Sequence, residues 1–302
     1  MTGSSTLPAI LVALAAFFVF TLQDTAVKLL GGEWHVVQVA AFNAIGCLIP
    51  PTLWALSAGG LRLLRPANPR LHLVRAALAP LACVLVFYAY AVMPLTDAYA
   101  IAFSQPLIIT ALSVPILGEK VGWRRWSAVV VGFLGVLIIL RPGSGLFGFA
   151  ALCMIGASVL WSFIHAIIRL APKDHPSCFA VWVNVGILAG MLPVLPFVWT
   201  TPSAEQLMIS FLGGLLGGGG FTLMSLAYSK AEAGIVAPFQ YVQMLYAAVI
   251  GLVVFGDALP DAWTWAGTAI VIASGIYIVH RETVRRREAV TLQRLATLGQ
   301  AG

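Results

Sequence analysis

The chain has 302 residues, of which 60% are hydrophobic and 9% charged, and its mean hydropathy is +0.96. A soluble domain carries about a quarter charged residues, so a water-soluble globular fold is excluded. The net charge of +6 calls for no nucleic-acid partner, because the basic residues collect in alternate loops and not in one binding patch.

The first apolar stretch covers residues 7–30. It is long enough to span hydrocarbon, and the segment before it is uncharged, so it reads as a membrane helix and not as a cleavable signal. Asp24 and Lys28 lie in it four residues apart, on one helix face where they can pair. Either they line an outer vestibule and meet a zwitterion's ammonium and carboxylate, or they lock this helix to its neighbours. The second stretch, 35–58, holds Asn43, whose amide needs a ligand or a neighbouring helix as partner. The third is 72–92. The fourth, 96–117, contains Tyr99 and is interrupted at Gln105-Pro106, because proline removes a donor and clashes with the carbonyl one turn back. The fifth is 124–140. The sixth, 147–170, carries Trp161 and His165 one turn apart on one face. The seventh, 178–199, holds Asn184. The eighth, 207–229, contains the glycine-rich run 213–220, which lacks the Gly-Lys-Ser/Thr ending of a phosphate loop and fits close helix packing. The ninth, 234–255, is irregular at Pro238, followed by Gln240, Tyr241 and Gln243. The tenth is 262–280, and a basic tail, 281–302, follows. These lengths suit helices and not barrel strands, which are about half as long. The expected class is an all-α polytopic membrane protein with ten transmembrane helices.

The chain also repeats itself. Leu117-Gly118-Glu119, Trp123, Gly135 and Arg141 return as Phe255-Gly256-Asp257, Trp263, Gly275 and Arg281. Asp24 and Lys28 correspond to His165 and Arg169, and Asn43 corresponds to Asn184. Five spans per half is an odd number, so the second half must cross the bilayer upside down relative to the first. The expected organisation is a first five-helix repeat at 1–146, an inverted second one at 147–280 and the tail, all within one integral membrane domain. Inverted repeats build two-sided cavities near the midplane, and paired interrupted helices point to the binding site of a transporter.

Arg62, Arg65, Arg70, Arg75, Lys120, Arg124, Arg125, Arg169, Lys173, Lys230, Arg281, Arg285, Arg286, Arg287 and Arg294 are assigned to one side, which makes fifteen of the 17 Lys and Arg. Only Arg141 is assigned to the opposite loops. The basic side is then cytoplasmic, and both termini with it. Cys47, Cys83, Cys153 and Cys178 lie in or beside spans without metal or redox spacing and read as packing residues. No nucleophile–base pair, HExxH motif, paired-carboxylate motif or nucleotide loop occurs. No catalytic residue, metal or cofactor is expected, and an enzyme, an ATP-driven pump and a ring-built channel all lack their motifs.

The run Met93-Pro-Leu-Thr-Asp97-Ala-Tyr99-Ala-Ile-Ala-Phe-Ser-Gln105-Pro106, continued by Leu117-Gly-Glu-Lys, Trp123-Arg-Arg-Trp126, Gly132-Phe-Leu-Gly135 and Arg141-Pro-Gly143, resembles the EamA family of the drug/metabolite transporter superfamily. The resemblance covers essentially the whole chain, twice over. It implies ten helices as two inverted five-helix repeats, a central cavity and alternating access for small organic solutes. Bacterial members include amino-acid exporters, and some relatives take up S-adenosylmethionine or riboflavin. Relatives often carry arginine near the start of span two, where this chain has Asn43.

The expected function is therefore a secondary transporter in the bacterial inner membrane. An amino-acid exporter for aromatic and other neutral amino acids is the leading expectation, with uptake of S-adenosylmethionine or a similar metabolite as the alternative. The expected substrate-binding set is Asp24, Lys28, Asn43, Tyr99, Gln105, Trp161, His165, Asn184, Gln240 and Tyr241, with Pro106 and Pro238 as hinges. The partners are a small-molecule substrate and the lipid bilayer, and a monomer is compatible with all of this. Reporter fusions at residue 302 should score as cytoplasmic. An external C-terminus would overturn the ten-span count.

Overall fold

The computed structural model describes residues 6–118, 121–141, 148–231 and 233–299. Glu119, Lys120, Pro142 and Gly143 of the repeated motif lie outside the described residues. Every described element is helical: α1 (Thr6–Leu30), α2 (Val36–Ala58), α3 (Pro69–Val92), α4 (Leu95–Ala102), α5 (Gln105–Leu117), α6 (Trp123–Leu140), α7 (Phe149–Ile168), α8 (Pro176–Met191), α9 (Leu195–Val198), α10 (Ala204–Lys230), α11 (Ala233–Val236), α12 (Gln243–Ile250) and α13 (Ala262–Gly299).

Among the described residues, nine helical segments are long and apolar enough to cross a membrane. The expected seventh span is shorter. Its helix α8 has 16 residues and rises only about 24 Å at 1.5 Å per residue, less than the roughly 30 Å of hydrocarbon. Pro193 lies just beyond, in the turn before α9, where it cannot continue the ladder. Helix α13 runs on past the expected tenth span, from Ala262 to Gly299. Both expected interruptions are present. The fourth span divides into α4 and α5 at Phe103–Ser104, with Pro106 in the first turn of α5, where a missing N–H costs nothing. The ninth passes from α11 through a 3₁₀ segment at Ala237–Val242, containing Pro238, to α12 and a π-turn segment at Gly251–Phe255.

Large apolar side chains cover the outside of the bundle. Leu53, Leu81, Val130 and Val253 are all more than half exposed. Hydrocarbon is the medium in which such a surface is stable. The family and these helices together indicate a multi-pass membrane protein.

Between helices, small residues set the distances, because lipid supplies no hydrophobic drive for helices to associate. α10 packs along both α1 and α2; α3 packs in the same way along α7 and α8. α6 pairs with α13, and α2 with α8. The glycine-rich run lies in the first of these seams: a Cβ on Gly214 would overlap the Asn43 backbone, and one on Gly46 would meet α10 in return. Gly135 and Gly267 face each other across α6 and α13 in the same fashion.

The seam can be tested within one helix. Gly214→Ala forces a methyl against backbone and should destabilise by about 1–3 kcal/mol. Gly219→Ala has open space around it and should be neutral, or stabilising by up to about 1 kcal/mol. Thermal unfolding of both variants in detergent measures the contrast.

Candidate functional site

A cavity of about 380 Å³ lies between the helices, lined by α1, α2, α3, α7, α8 and α10 and by both interrupted segments. Its size falls in the range of small-molecule sites, and its wall is largely apolar with a few polar groups, as such sites are. Of the expected site residues, Asp24, Asn43, Tyr99, Gln105, Trp161, His165, Asn184 and Gln240 all line it. Lys28 and Tyr241 are not among its lining residues.

Asp24 projects from the last third of α1. Tyr99 of α4 donates its hydroxyl to the Asp24 carboxylate at 2.5 Å, and the ring of Tyr90 lies edge-on to that of Tyr99, 6.0 Å away. Among the described residues no cation pairs with Asp24. The expected Asp24–Lys28 pair is therefore corrected. Lys28 bonds Asp257 at 2.7 Å, donates to the Met93 carbonyl at 3.3 Å and lies over the Phe255 ring at 4.6 Å. Spacing of four gives two side chains one face, but it does not choose between an in-helix partner and one brought by another helix. Asp257 sits at the end of the ninth span, where the chain leaves the π-turn segment, and supplies the better counter-ion.

A second ion pair lies among neighbouring loops, between Arg141 and Asp261 at 2.5 Å. Asp261 caps α13. The Thr264 backbone N–H, 2.8 Å away, holds its carboxyl below the usual carboxylate range, and Arg141 adds to the effect. Both pairs join the first half of the chain to the second.

The amides serve the wall. Gln23 donates to the Asn43 side-chain oxygen at 3.0 Å, which ties α1 to α2, while the Asn43 amide nitrogen has no partner. Asn184 donates to the Ala180 carbonyl within α8 at 2.9 Å. At the break of the fourth span the Ser162 hydroxyl of α7 donates to the Gln105 carbonyl at 3.4 Å. The rings of Trp161 and His165 stack 5.8 Å apart. Tyr241 instead braces the wall from behind, edge-on to Phe103 at 5.0 Å, with its hydroxyl against Gly275 of α13.

The sequence reading missed Arg75, having placed it among the loop cations. The helix starts at Pro69, so Arg75 is in its second turn, buried, and lines the cavity. The signal was present: Asn68-Pro69 marks a helix start.

The sequence model described as the EamA-like transporter family matches residues 7–141 and again 148–280. The chain belongs to this family. A riboflavin transporter of Rhizobium johnstonii is 31% identical over 82% of this chain and 83% of its own length. The S-adenosylmethionine uptake transporter of Rickettsia prowazekii is 28% identical over 87% of this chain and 89% of its own. A riboflavin transporter of Vibrio cholerae is 32% identical over 72% and 73%. A solved structure, titled only "Crystal structure of protein", shares the fold with a TM-score of 0.62 at 18% identity, covering 93% of this chain and 99% of that one. The names of these relatives do not support the leading expectation of an amino-acid exporter. They fit the alternative better.

The charge assignments yield a double-mutant test. Lys28→Met and Asp257→Asn should show a coupling of about 1 kcal/mol or more in thermal unfolding, as contacting charges do. Lys28→Met and Asp24→Asn should be additive within about 0.5 kcal/mol. The opposite pattern would restore the Asp24–Lys28 pair.

Proposed function

We propose that this protein is a secondary carrier of a small organic metabolite with a planar ring system, of the S-adenosylmethionine or riboflavin kind, working by alternating access in a bacterial cytoplasmic membrane. The observation that carries the reading is the cavity where the two interrupted spans meet, walled by aromatic rings, amides and a few charged groups. Backbone that leaves the helical ladder at membrane depth is tolerated only against protein or a water-filled cavity, and paired broken helices are where carriers hold substrate.

Two further observations support ten spans in two inverted halves, 1–146 and 147–280. The family match falls once on each half. The helix pairing also survives exchange of the halves: α1 and α2 flank α10 as α7 and α8 flank α3, while α6–α13 and α2–α8 map onto themselves. A bundle with such symmetry can close at either end. The pairs Lys28–Asp257 and Arg141–Asp261 tie the halves together just beyond Asp24, on the side the loop charges make external. At the cytoplasmic end the His72 ring meets Asp174 at 2.9 Å, so the halves are tied there as well, and alternating access requires each set of contacts to break in turn.

Purified protein in liposomes should show saturable flux of S-adenosylmethionine or riboflavin, with little flux of neutral amino acids. Gln105→Ala and Gln240→Ala should each lower that flux about tenfold while leaving expression and unfolding temperature near wild type, since each removes one wall amide worth about 1 kcal/mol or somewhat more. Normal flux in both variants would place the substrate elsewhere.

A further inference from the structure

Arg75 is 3% exposed and faces the cavity from the second turn of α3. Its Nε donates to the Ile164 carbonyl of α7 at 3.1 Å, and the guanidinium lies 5.0 Å from the centre of the Phe179 ring. These contacts fix the plane of the group without neutralising it. Nη1 is buried with no hydrogen-bond partner, and among the described residues no carboxylate pairs with Arg75. A guanidinium held this way keeps its charge and an unused donor, which a carboxylate entering the cavity can satisfy.

Asp24 cannot share a small ligand with it. Tyr90, beside Tyr99 in the Asp24 cluster, is fifteen residues further along α3, a rise of about 22 Å. The ammonium and carboxylate of a free amino acid are attached to one carbon and cannot reach both ends. The stacked rings of Trp161 and His165 line the same cavity, next to the Ile164 carbonyl that holds Arg75, and offer a platform for a planar ring.

We propose that Arg75 binds the carboxylate of the substrate, and that the substrate is an elongated solute carrying a carboxylate at one end and a planar heteroaromatic ring. This rests on the carrier reading and narrows it. S-adenosylmethionine has such a carboxylate, whereas riboflavin has none.

The test compares three solutes, S-adenosylmethionine, its decarboxylated analogue and riboflavin, by quenching of tryptophan fluorescence and by flux into proteoliposomes. Wild-type protein should bind S-adenosylmethionine at least tenfold more tightly than the decarboxylated analogue. Arg75→Gln should abolish that preference, weakening S-adenosylmethionine about tenfold or more while leaving the analogue within about twofold. Arg75→Lys should recover part of the preference, because the charge stays and the fork is lost. Equal weakening of both solutes by Arg75→Gln would show a strut between α3 and α7 and overturn the assignment. The wild-type comparison needs no variant to fold: equal affinity for the acid and its decarboxylated analogue overturns it directly. Riboflavin flux untouched by Arg75→Gln, with no preference for the acid, would sink the carboxylate site and leave the carrier standing. No flux of any solute would remove both.

Discussion

Hydrocarbon offers a peptide group no hydrogen bond, and the rest of this structure follows from how the chain answers that constraint. Most of the backbone answers it with unbroken helix. Two segments beside the cavity do not, Phe103–Ser104 and Ala237–Val242, and both contribute residues to its wall. The Ser162 hydroxyl meets one carbonyl at the first break, and Tyr241 of the second packs on Phe103 of the first. The breaks support each other, and the space they leave is the cavity. Cavity and irregular backbone coincide because backbone freed from the helical ladder must be met by protein or by water.

Closeness elsewhere makes that arrangement possible. Where α10 meets α1 and α2, glycines bring backbones to distances that a single methyl would prevent. Such contact adds dispersion energy that lipid cannot replace. It also leaves flat seams with little interlocking of side chains. Under the proposed alternating access, flat seams at the core and ion pairs such as Lys28–Asp257 at the rim would suit halves that move against each other. A pair of this kind can break and re-form in water at the membrane surface.

Much of this was legible in the sequence. Hydropathy located nine of the expected spans, proline and glutamine located the breaks, and the glycine run announced a packing seam. These features are local, and each depends on a residue type whose physics allows few alternatives. The misread side chains concern which distant group meets which. Lys28 found Asp257, 229 positions away, because helix periodicity gives direction but not neighbours. Arg75 was counted with the loop cations although the expected third span, 72–92, already held it; because the helix starts at Pro69, it is buried in the second turn. Tyr241 looked like a cavity residue: its helix was placed correctly, but its rotation was not.

The charges that remain inside are informative through their lack of partners. Burying an ion without a counter-ion is expensive, and replacing both groups with apolar ones would stabilise the empty protein. Asp24 has tyrosine hydroxyls in place of a cation, and Arg75 has a carbonyl and a ring in place of a carboxylate. They belong to different parts of the cavity wall: Tyr90 of the Asp24 cluster is fifteen residues beyond Arg75 on α3, a backbone rise of about 22 Å. A structural ion pair would have been assembled from groups within reach, as Lys28 and Asp257 are. In the carrier role proposed above, Arg75 in one part of the cavity and the Asp24–Tyr99 pair in another would orient a solute that carries a carboxylate at one end and a polarisable ring along its length. Such a site selects orientation as well as identity, and a carrier that releases what it binds needs the orientation to be reversible, so single unshared contacts at each end serve better than a tight cage.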